Sequence, residues 1–362
     1  MSQLALEGLP AGRIPDAAAP DAVQVRELQP ADFSRWDEFV SGCGEATFFH
    51  RAGWKTVIER AFGHRTCFLY AEAGGRIEGV LPLTEVKSLV FGHTLVSLPF
   101  CVYGGIAAQS EQARHALDTA ACALAERRRV DHLEYRSLTP HHPDWAHTDL
   151  YVTFRKPIDP EVERNLLEIP RKQRAMVRKG IKAGLKSEID GSVERFFPAY
   201  ADSVHRLGTP VFSRRYFQVL RDVFGSDCEV LTVTRDGGLI ASVMSFYFRD
   251  EVLPYYGGGT EQAREVAGND FIYWELMRRA CERGLRVFDY GRSKRGTGSF
   301  DFKKNWGFEP QPLHYEYRLA RGKRVPELNP LNPKYRLPIK LWQRLPLALA
   351  NWIGPLIARN LG

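Results

Sequence analysis

A short glycine-bordered loop near the end of the chain collects cations of the kind that bind anionic groups. The loop spans 291–298 and contains Arg292, Lys294 and Arg295. Guanidinium and ammonium groups hold phosphates and carboxylates through charge-assisted hydrogen bonds, so the loop predicts a binding site for an anionic donor or acceptor, with a merely solvated loop as the alternative. An ordinary nucleotide-hydrolase site is not expected, because a P-loop needs lysine directly after its second glycine and Thr297 stands there.

An acid precedes this loop on a segment that reads as a strand. Asp289 is flanked by bulky apolar residues in the sequence Val-Phe-Asp-Tyr. Burial of a carboxyl group raises its pKa, and such a group can accept the proton of a nucleophile. The sequence therefore predicts Asp289 as a candidate general base, with an ion pair to Arg292 or the capping of a turn as alternatives.

The chain repeats one order of segments at separations of 153 to 163 residues. Each copy has a helix ending in Phe-Gly, a hairpin around a glycine turn, a Tyr-Gly-Gly segment, a second helix and a strand ending in Arg-Ser. Five matches in one order indicate a duplicated unit, and the mixture of hairpins and helices predicts an α/β fold with mixed sheets. The markers are Phe62-Gly63 and Phe224-Gly225, Tyr103 and Tyr256, and Arg136-Ser137 and Arg292-Ser293.

This repeat divides the chain into five predicted parts. The early residues carry acids and prolines and lack a secretory-signal pattern, and no tract reaches the length of apolar residues that spans a bilayer. We therefore expect a cytoplasmic protein. Its parts are a flexible N-terminus at 1–22, a first domain at 23–157, a basic helical connection at 158–189, a second domain at 190–320 and a basic amphipathic tail at 321–362.

The positive charge is concentrated in two segments. The net charge is +7, and the tail at 321–362 holds eight Lys or Arg and one acid, which accounts for the whole excess. The run at 171–186 holds seven cations and no acid. A body that is otherwise slightly acidic disfavours a protein built to wrap nucleic acid. The second run is either a solvated helix face or a track for the phosphates of a tRNA.

Cysteine and histidine spacing does not indicate a metal site. The six cysteines include no Cys-x-x-Cys pair, and His141 and His142 have no acid or thiol close by in the sequence. Scattered cysteines of this kind are typical of reduced thiols in a cytosolic protein. No metal and no tightly bound cofactor are predicted.

The end of the tail has helical periodicity. Two tryptophans and the surplus of cations suit a helix at the surface of an anionic membrane, while the spacing alone is typical of a helix packed on its own protein. Peripheral contact with the inner membrane through 333–362 is therefore one of two open interpretations. The periodic residues are Leu349, Trp352, Ile353, Leu356 and Ile357.

Two stretches resemble the FemAB family. They are Phe288-Asp-Tyr-Gly-Arg-Ser293 and Phe302-Lys-Lys-Asn-Trp-Gly-Phe308. The tail motif Asn-Pro-Leu-Asn-Pro-Lys-Tyr at 329–335 resembles, more narrowly, the FemAB-related proteins associated with exosortase/PEP-CTERM systems, and the similarity covers 25–362. This resemblance implies two tandem acetyltransferase-like (GNAT) domains. It also implies transfer of an acyl or aminoacyl group to an amine or hydroxyl of a cell-envelope or exopolysaccharide-related acceptor.

The resemblance also assigns candidate residues. The Phe-Lys pair of FemAB enzymes corresponds to Phe302 and Lys303, and Lys303 would stabilise the negative charge that develops during acyl transfer. Family members take amino acids from aminoacyl-tRNA and add them to peptidoglycan precursors, and relatives with the same fold use acyl thioesters. Residues expected to contact the anionic precursor are Arg206, Arg214 and Tyr216. Tyr103 and Tyr256 would line a groove between the domains, unless they are core aromatics.

The donor is expected to be acyl-coenzyme A or a charged tRNA. Gly257, Gly258 and Gly259 end a strand before a helix, the position at which acetyltransferases hold the coenzyme A pyrophosphate on backbone N–H groups. The acetyltransferase signature beginning at Arg264 is met only at its first position, because Ala267 replaces its first glycine. A dinucleotide fingerprint also fails. We expect a monomer, and the alternative function is a catalytically silent protein that binds an anionic envelope component.

Overall fold

The computed structural model describes residues 22–88, 92–325, 332 and 335–361. The expected flexible N-terminus lies, except for residue 22, outside these residues, as does most of the motif at 329–335. The α-helices that it describes are α1 (Phe33–Gly42), α2 (Gly53–Phe62), α3 (Glu111–Arg128), α4 (Val162–Glu168), α5 (Arg171–Lys182), α6 (Phe196–Arg206), α7 (Arg214–Phe224), α8 (Gln262–Glu265), α9 (Gly268–Glu282), α10 (Gly298–Asn305), α11 (Arg336–Gln343) and α12 (Leu347–Ala358).

The strands form two mixed sheets, each of eight strands within the described residues. The first has the order β1-β2-β3-β4-β6-β16-β7 with β5 on β3, and the second has the order β14-β8-β13-β12-β11-β10-β9 with β15 on β8. This arrangement confirms the predicted α/β fold with mixed sheets. The strands are β1 (Gln24–Glu27), β2 (Arg65–Ala73), β3 (Arg76–Ser88), β4 (Gly92–Ser97), β5 (Ala107–Ala108), β6 (His132–Ser137), β7 (Ala146–Thr148), β8 (Tyr151–Pro157), β9 (Lys186–Asp190), β10 (Cys228–Arg235), β11 (Gly238–Phe248), β12 (Glu251–Gly259), β13 (Val287–Asp289), β14 (Ser293–Lys294), β15 (Pro310–Pro312) and β16 (His314–Leu319).

Each half of the chain lends a strand to the sheet of the other half. β8, which lies within the predicted first domain, pairs with β13 in the second sheet, and β16, at the end of the second half, pairs with β6 in the first sheet. The exchange satisfies the backbone groups at an otherwise open sheet edge in each half. The sequence boundaries at 157 and 320 therefore group each of these strands with neighbours in the chain and not with its hydrogen-bonding partners.

Equivalent elements of the two halves meet in one core. α2 packs against α7, and a Cβ on Gly53 would lie 2.8 Å from Val223, so glycine permits the close approach of these helices. Phe48 of the first half stacks on Phe246 of the second with ring centroids 4.5 Å apart. The predicted Phe-Gly helix end is confirmed at α2, because Gly63 closes the helix with a φ of 68°.

The predicted basic connection is part of the second half. β9 pairs with β10 at the edge of the second sheet, and α5 packs on α9 where a Cβ on Gly180 would lie 2.8 Å from Phe271. The opposite face of α5 is exposed and carries five of the seven predicted cations, and a sixth, Lys186, is exposed on β9. The remaining one, Arg174, is half-buried and donates a hydrogen bond to the carbonyl of Leu167.

Helices α11 and α12 close the described chain and lie against α6 and the loop after it. The Gln343 side chain donates to the carbonyl of Arg206, and Arg359 donates to the carbonyl of Phe62 in the first half. Among the described residues no helix combines the length and apolarity needed to cross a membrane.

Candidate functional site

The two parallel strands of the second sheet separate and leave a cleft. β12 and β13 pair only at their first residues, Glu251 with Val287 and Val252 with Phe288. Further along, a cavity of about 350 Å³ lies among β12, α6, α9 and α10. Most of the predicted cofactor-binding and catalytic residues meet there, together with Arg206, which was predicted to bind substrate. They are Arg206, Gly257, Gly258, Gly259, Arg264, Phe302 and Lys303.

Lys303 reaches the cleft from the last turn of α10. Its Nζ donates hydrogen bonds of 3.0 Å to the carbonyls of Gly291 and Arg292. The ammonium also lies 5.7 Å from the ring centroid of Phe154 and 6.0 Å from that of Tyr290. An ammonium has three N–H donors, so one donor remains for a group in the cleft.

The environment of Lys303 lowers the pKa of its ammonium group. Burial lowers its pKa from 10.5 to about 7, the charge of Asp289 acts in the opposite direction, and the charge of Arg292 lowers it further. A lysine of this kind changes its charge near neutral pH, which is a common property of groups in active sites. Lys303 is therefore a half-buried lysine whose two hydrogen bonds fix the ammonium at the cleft.

Two arginines lie at the mouth of the cleft. Arg264 is exposed and its side chain makes no ion pair or hydrogen bond within the described residues, so its guanidinium is available to a phosphate. Arg206 is held by Asp202, with 3.3 Å between nitrogen and oxygen, and by the carbonyl of Gly259. Asp270 stands in the first turn of α9, where an acid disfavours a second anion. Arg264, and not the start of α9, therefore presents unpaired positive charge at the cleft.

The triple glycine serves packing more than ligand contact. A Cβ on Gly258 would lie 2.4 Å from the carbonyl oxygen of Ala199, so this glycine lets α6 rest directly on β12. A Cβ on Gly259 would lie 2.7 Å from Asn269 at the start of α9. At Gly257 the nearest atom would be 3.4 Å away, which leaves room for a side chain or for a ligand.

Asp289 is buried and fully engaged by neighbours. It accepts hydrogen bonds from the Tyr103 hydroxyl at 3.1 Å, the Thr153 hydroxyl at 3.2 Å and the Gly291 N–H at 2.7 Å. Arg155 Nε lies 3.3 Å from its second oxygen. Burial raises the pKa of this carboxyl group, as its sequence context predicts, with Arg155 opposing the change. Its contacts orient the segment that holds Lys303, and it is not among the residues that line the cleft.

A second, smaller cavity lies on the other side of the Gly291–Arg292 segment. It measures about 180 Å³ and is lined by Arg292, Lys294 and Arg136 together with the rings of Tyr151 and Tyr315. We call it the anion pocket. The predicted flexible loop is here a short strand, β14, paired with β8. The backbone of Arg292 holds Lys303 while its side chain enters the anion pocket, so one residue separates the two cavities.

The cations of the anion pocket are unequally neutralised. Arg292 forms no ion pair within the described residues; it donates to the Tyr315 hydroxyl at 3.0 Å, and its guanidinium lies 4.8 Å from the ring centroid of Tyr151. Arg136 is paired with Glu134 at 2.7 Å. Burial and the neighbouring Arg292 lower the pKa of Lys294 to about 8. This surplus of positive charge in a part-buried cavity suits a phosphate or carboxylate.

Arg136, Tyr151 and Tyr315 are lining residues that the sequence reasoning did not select. A signal for Arg136 was present, because it belongs to the Arg-Ser marker that matches Arg292 in the repeat. The two equivalent arginines converge on one pocket because β16 carries Tyr315 between the halves. The tyrosines had no such signal, since their position follows from the strand exchange.

Four other predicted substrate-binding residues lie outside the cleft and the anion pocket. Tyr216 and Tyr256 are buried in the aromatic core and join their hydroxyls at 2.8 Å, which is the core alternative. Tyr103 is buried against Asp289 and lines a cavity between the halves. Arg214 is exposed and pairs with Glu194 at 2.6 Å. Contact of these four with a substrate gains no support from their positions.

The first half has a different opening at the equivalent place. β4 and β6 also pair in parallel and separate, but the cavity beside α3 is lined by Glu111, Asp118 and His142. Arg114, which also lines it, is already paired with Glu45 at 2.8 Å. The lining of this cavity therefore includes acids, whereas the described lining of the cleft in the second half does not.

The thiols and the candidate metal ligands do not form a reactive cluster in the described part of the chain. All six cysteines are free, and five of them are buried. Burial raises the pKa of Cys101 and Cys228, which keeps these thiols protonated. In the same ranges no group of three or more His, Cys, Asp or Glu is placed to hold a metal ion.

Comparison with known proteins finds a matching family model and solved structures with a similar fold. Residues 171–304 match a family model described as an acetyltransferase (GNAT) domain. No curated protein matches the chain. A crystal structure of FemX superposes with a TM-score of 0.66 at 14% identity, covering 82% of this chain and 97% of the other.

Two further solved structures share the fold. The C-terminal domain of a putative lysylphosphatidylglycerol synthetase from Agrobacterium fabrum has a TM-score of 0.54 at 12% identity and covers 80% of this chain and 92% of its own. A tandem GNAT protein from the clavulanic acid biosynthesis pathway has a TM-score of 0.51 at 12% identity, with coverages of 82% and 97%. Residues 171–304 therefore match a GNAT-type acetyltransferase domain, and the chain has the tandem GNAT-like α/β fold that the resemblance implied.

Proposed function

We propose that this protein is an acyl- or aminoacyltransferase whose donor lies in the cleft between β12 and β13. The observation that carries the proposal is the position of Lys303, which two backbone carbonyls hold at the cleft with one N–H donor left over. A cation fixed beside a reacting carbonyl stabilises the developing oxyanion. The GNAT-type domain and the FemX-like fold agree with this chemistry.

The proposed reaction is direct transfer. The nitrogen or oxygen of the acceptor forms a bond to the donor carbonyl carbon, the bond from that carbon to the carrier breaks, and the acceptor's proton ends on the leaving carrier. Lys303 donates its free N–H to the oxyanion, and Phe302 forms an apolar wall next to it. Asp289 acts as a positioning residue that holds Gly291 and sustains the charge of Lys303.

A small phosphate-bearing donor such as acyl-coenzyme A suits the cleft best. The Arg264 side chain is free at the mouth for phosphates, and the cavity measures about 350 Å³. A charged tRNA needs a broad basic track. The exposed cations of α5 could supply one, but α5 packs behind α9, and none of its residues lines the cleft.

For the acceptor we propose an amine or hydroxyl of an anionic cell-envelope or exopolysaccharide-related molecule on the cytoplasmic side. The anion pocket supports this proposal, since Arg292, Lys294 and Arg136 would hold a phosphate or carboxylate there. The backbone of Arg292, whose carbonyl accepts a hydrogen bond from Lys303, separates this pocket from the cleft. The exosortase/PEP-CTERM association rests on the motif at 329–335 and is part of the proposal.

Native mass spectrometry of the protein purified from its host tests the proposal. We expect a bound acyl thioester or its free carrier, lost from an Arg264→Ala variant and retained by an Arg295→Ala variant, whose exposed cation lies outside the cleft. A bound sugar polymer without any acyl carrier would favour the catalytically silent binding protein instead.

A further inference from the structure

Helix α12 is attached to the protein through its smallest side chains. Ala350, Gly354 and Ala358 are buried. A Cβ on Gly354 would lie 2.9 Å from the backbone nitrogen of Val211, so the helix approaches the loop after α6 as closely as glycine allows. This close contact fixes which side of α12 faces outward.

The large apolar side chains of the same helix lie on that outward side. Trp352 is 72% exposed and Leu356 is 59% exposed, and α11 adds Leu337 at 66% and Leu341 at 55%. A helix that only packs on its own protein buries its large side chains. We call this surface the apolar face; it comprises Leu337, Leu341, Leu347, Leu349, Trp352 and Leu356.

The segment that carries the apolar face also carries cations and no acids. Residues 335–361 contain no Asp or Glu. Arg336, Lys340 and Arg344 are exposed and form no ion pair within the described residues. Tryptophan and leucine on one side with unpaired cations beside them are the composition of a helix that lies in the interface of an anionic bilayer. A protein partner would need matching acids, whereas an anionic membrane supplies them as headgroups.

The apolar face adjoins the mouth of the cleft. Gly208 packs against Ile339 of α11, and His205 contacts the carbonyl of Trp342 at 3.0 Å. Leu207, between them in sequence, lines the cleft and is 69% exposed. A surface that covers α11 therefore also reaches the entrance to Lys303.

We propose that the apolar face and its three cations are a docking surface for an anionic lipid bilayer, which holds the mouth of the cleft at the membrane. The docking itself does not depend on acyl transfer. If the proposed transfer is correct, docking narrows the acceptor to an amine or hydroxyl carried by a lipid or its headgroup, and this part rests on the proposed function.

Co-sedimentation with vesicles tests the proposal on the full chain. The probes are vesicles of phosphatidylcholine alone and of phosphatidylcholine mixed with phosphatidylglycerol. Each cation near an anionic surface contributes on the order of a factor of five to binding, so the triple variant Arg336→Gln, Lys340→Gln and Arg344→Gln should bind mixed vesicles about a hundredfold more weakly. Trp352 is the most exposed of the seven tryptophans, so its emission should shift to the blue on binding.

Matched variants distinguish binding through the apolar face from nonspecific binding to vesicles. Trp352→Gln with Leu356→Gln should abolish binding, while Leu167→Gln with Ile181→Gln, which are 63% and 50% exposed on α4 and α5, should leave it unchanged. Lys303→Met should bind vesicles like the wild type, so failure of docking and failure of catalysis are distinguishable. Equal binding to both vesicle types would overturn the proposal. A dimer that forms at higher concentration of the wild type and is absent from the Trp352 variant would also overturn it, because the face would then be an interface between two copies.

Discussion

Replacing Lys303 by methionine should make the protein more stable in a pH-dependent way. The fold holds this amine in a part-buried site that lowers its pKa from 10.5 to about 7. Between these two pH values the unfolded chain binds one proton more than the folded chain, so the stability of the wild type rises with pH over that window. Below about pH 7 the penalty of holding the charge is fully present. Methionine has a similar length and carries no charge, so it removes the penalty.

The linkage between proton binding and folding gives the size of this pH-dependent difference in stability. From pH 6 to pH 9 the wild type should gain about 2.7 kcal/mol of unfolding free energy relative to Lys303→Met, at about 1.4 kcal/mol per pH unit above the folded pKa. Loss of the two hydrogen bonds to Gly291 and Arg292 shifts the variant by a constant amount and leaves this slope unchanged. Urea unfolding at several pH values measures the difference directly.

A matched control is available at the next residue. Lys304 is exposed, so the unfolding free energy of Lys304→Met should run parallel to that of the wild type across the same pH range. Turnover of Lys303→Met should fall by about two to three powers of ten, the loss expected when an oxyanion donor is removed. Parallel stability curves for Lys303→Met and the wild type would refute the buried, destabilised ammonium.

Three further substitutions test neighbouring parts of the site. In steady-state kinetics, Arg292→Gln should raise the KM for the acceptor about tenfold or more, because it removes a charge-assisted contact, and should leave the affinity for the donor unchanged. Arg295 is exposed outside the anion pocket, so Arg295→Gln should change neither quantity. Asp289→Asn should lower turnover by less than the hundredfold typical of a lost general base, and should move the alkaline limb of the pH–rate profile to lower pH, since Asp289 raises the pKa of Lys303. Loss of the acidic limb would instead support the base role of Asp289. Gly258→Ala should cost about 2 kcal/mol in urea unfolding because its Cβ meets backbone, and an equal cost at Gly257→Ala would contradict this packing argument.

Local sequence features predicted the fold class well. Apolar periodicity and glycine turns indicated the helices and hairpins, and the repeat indicated two units of one kind. Gly63 closes α2 with the positive φ that the Phe-Gly pattern predicts. These features depend on contacts between near neighbours in the chain, which is why sequence patterns record them.

The pairing of strands that lie far apart in the chain could not be predicted from the sequence. The exchange of β8 and β16 joins residues more than a hundred positions apart, and periodicity within a strand does not identify its partner. For the same reason Tyr151 and Tyr315 were missed, and Tyr216 and Tyr256 could not be told apart from groove residues. Motif correspondence selected Phe302, Lys303 and Arg264, and these residues do line one cleft, while their roles stay predictions.

The donor is the central claim, and thermal unfolding with separate additions of acetyl-coenzyme A, longer acyl-coenzymes and charged tRNA tests it most directly. We predict that an acyl-coenzyme A present at about a hundred times its dissociation constant stabilises the wild type by about 2.7 kcal/mol. The same addition should stabilise Arg264→Ala less, because a phosphate contact at the mouth of the cleft is lost. Stabilisation by charged tRNA alone, steeply weakened by salt and abolished by replacing Arg174 and Arg178 on α5, would contradict the account.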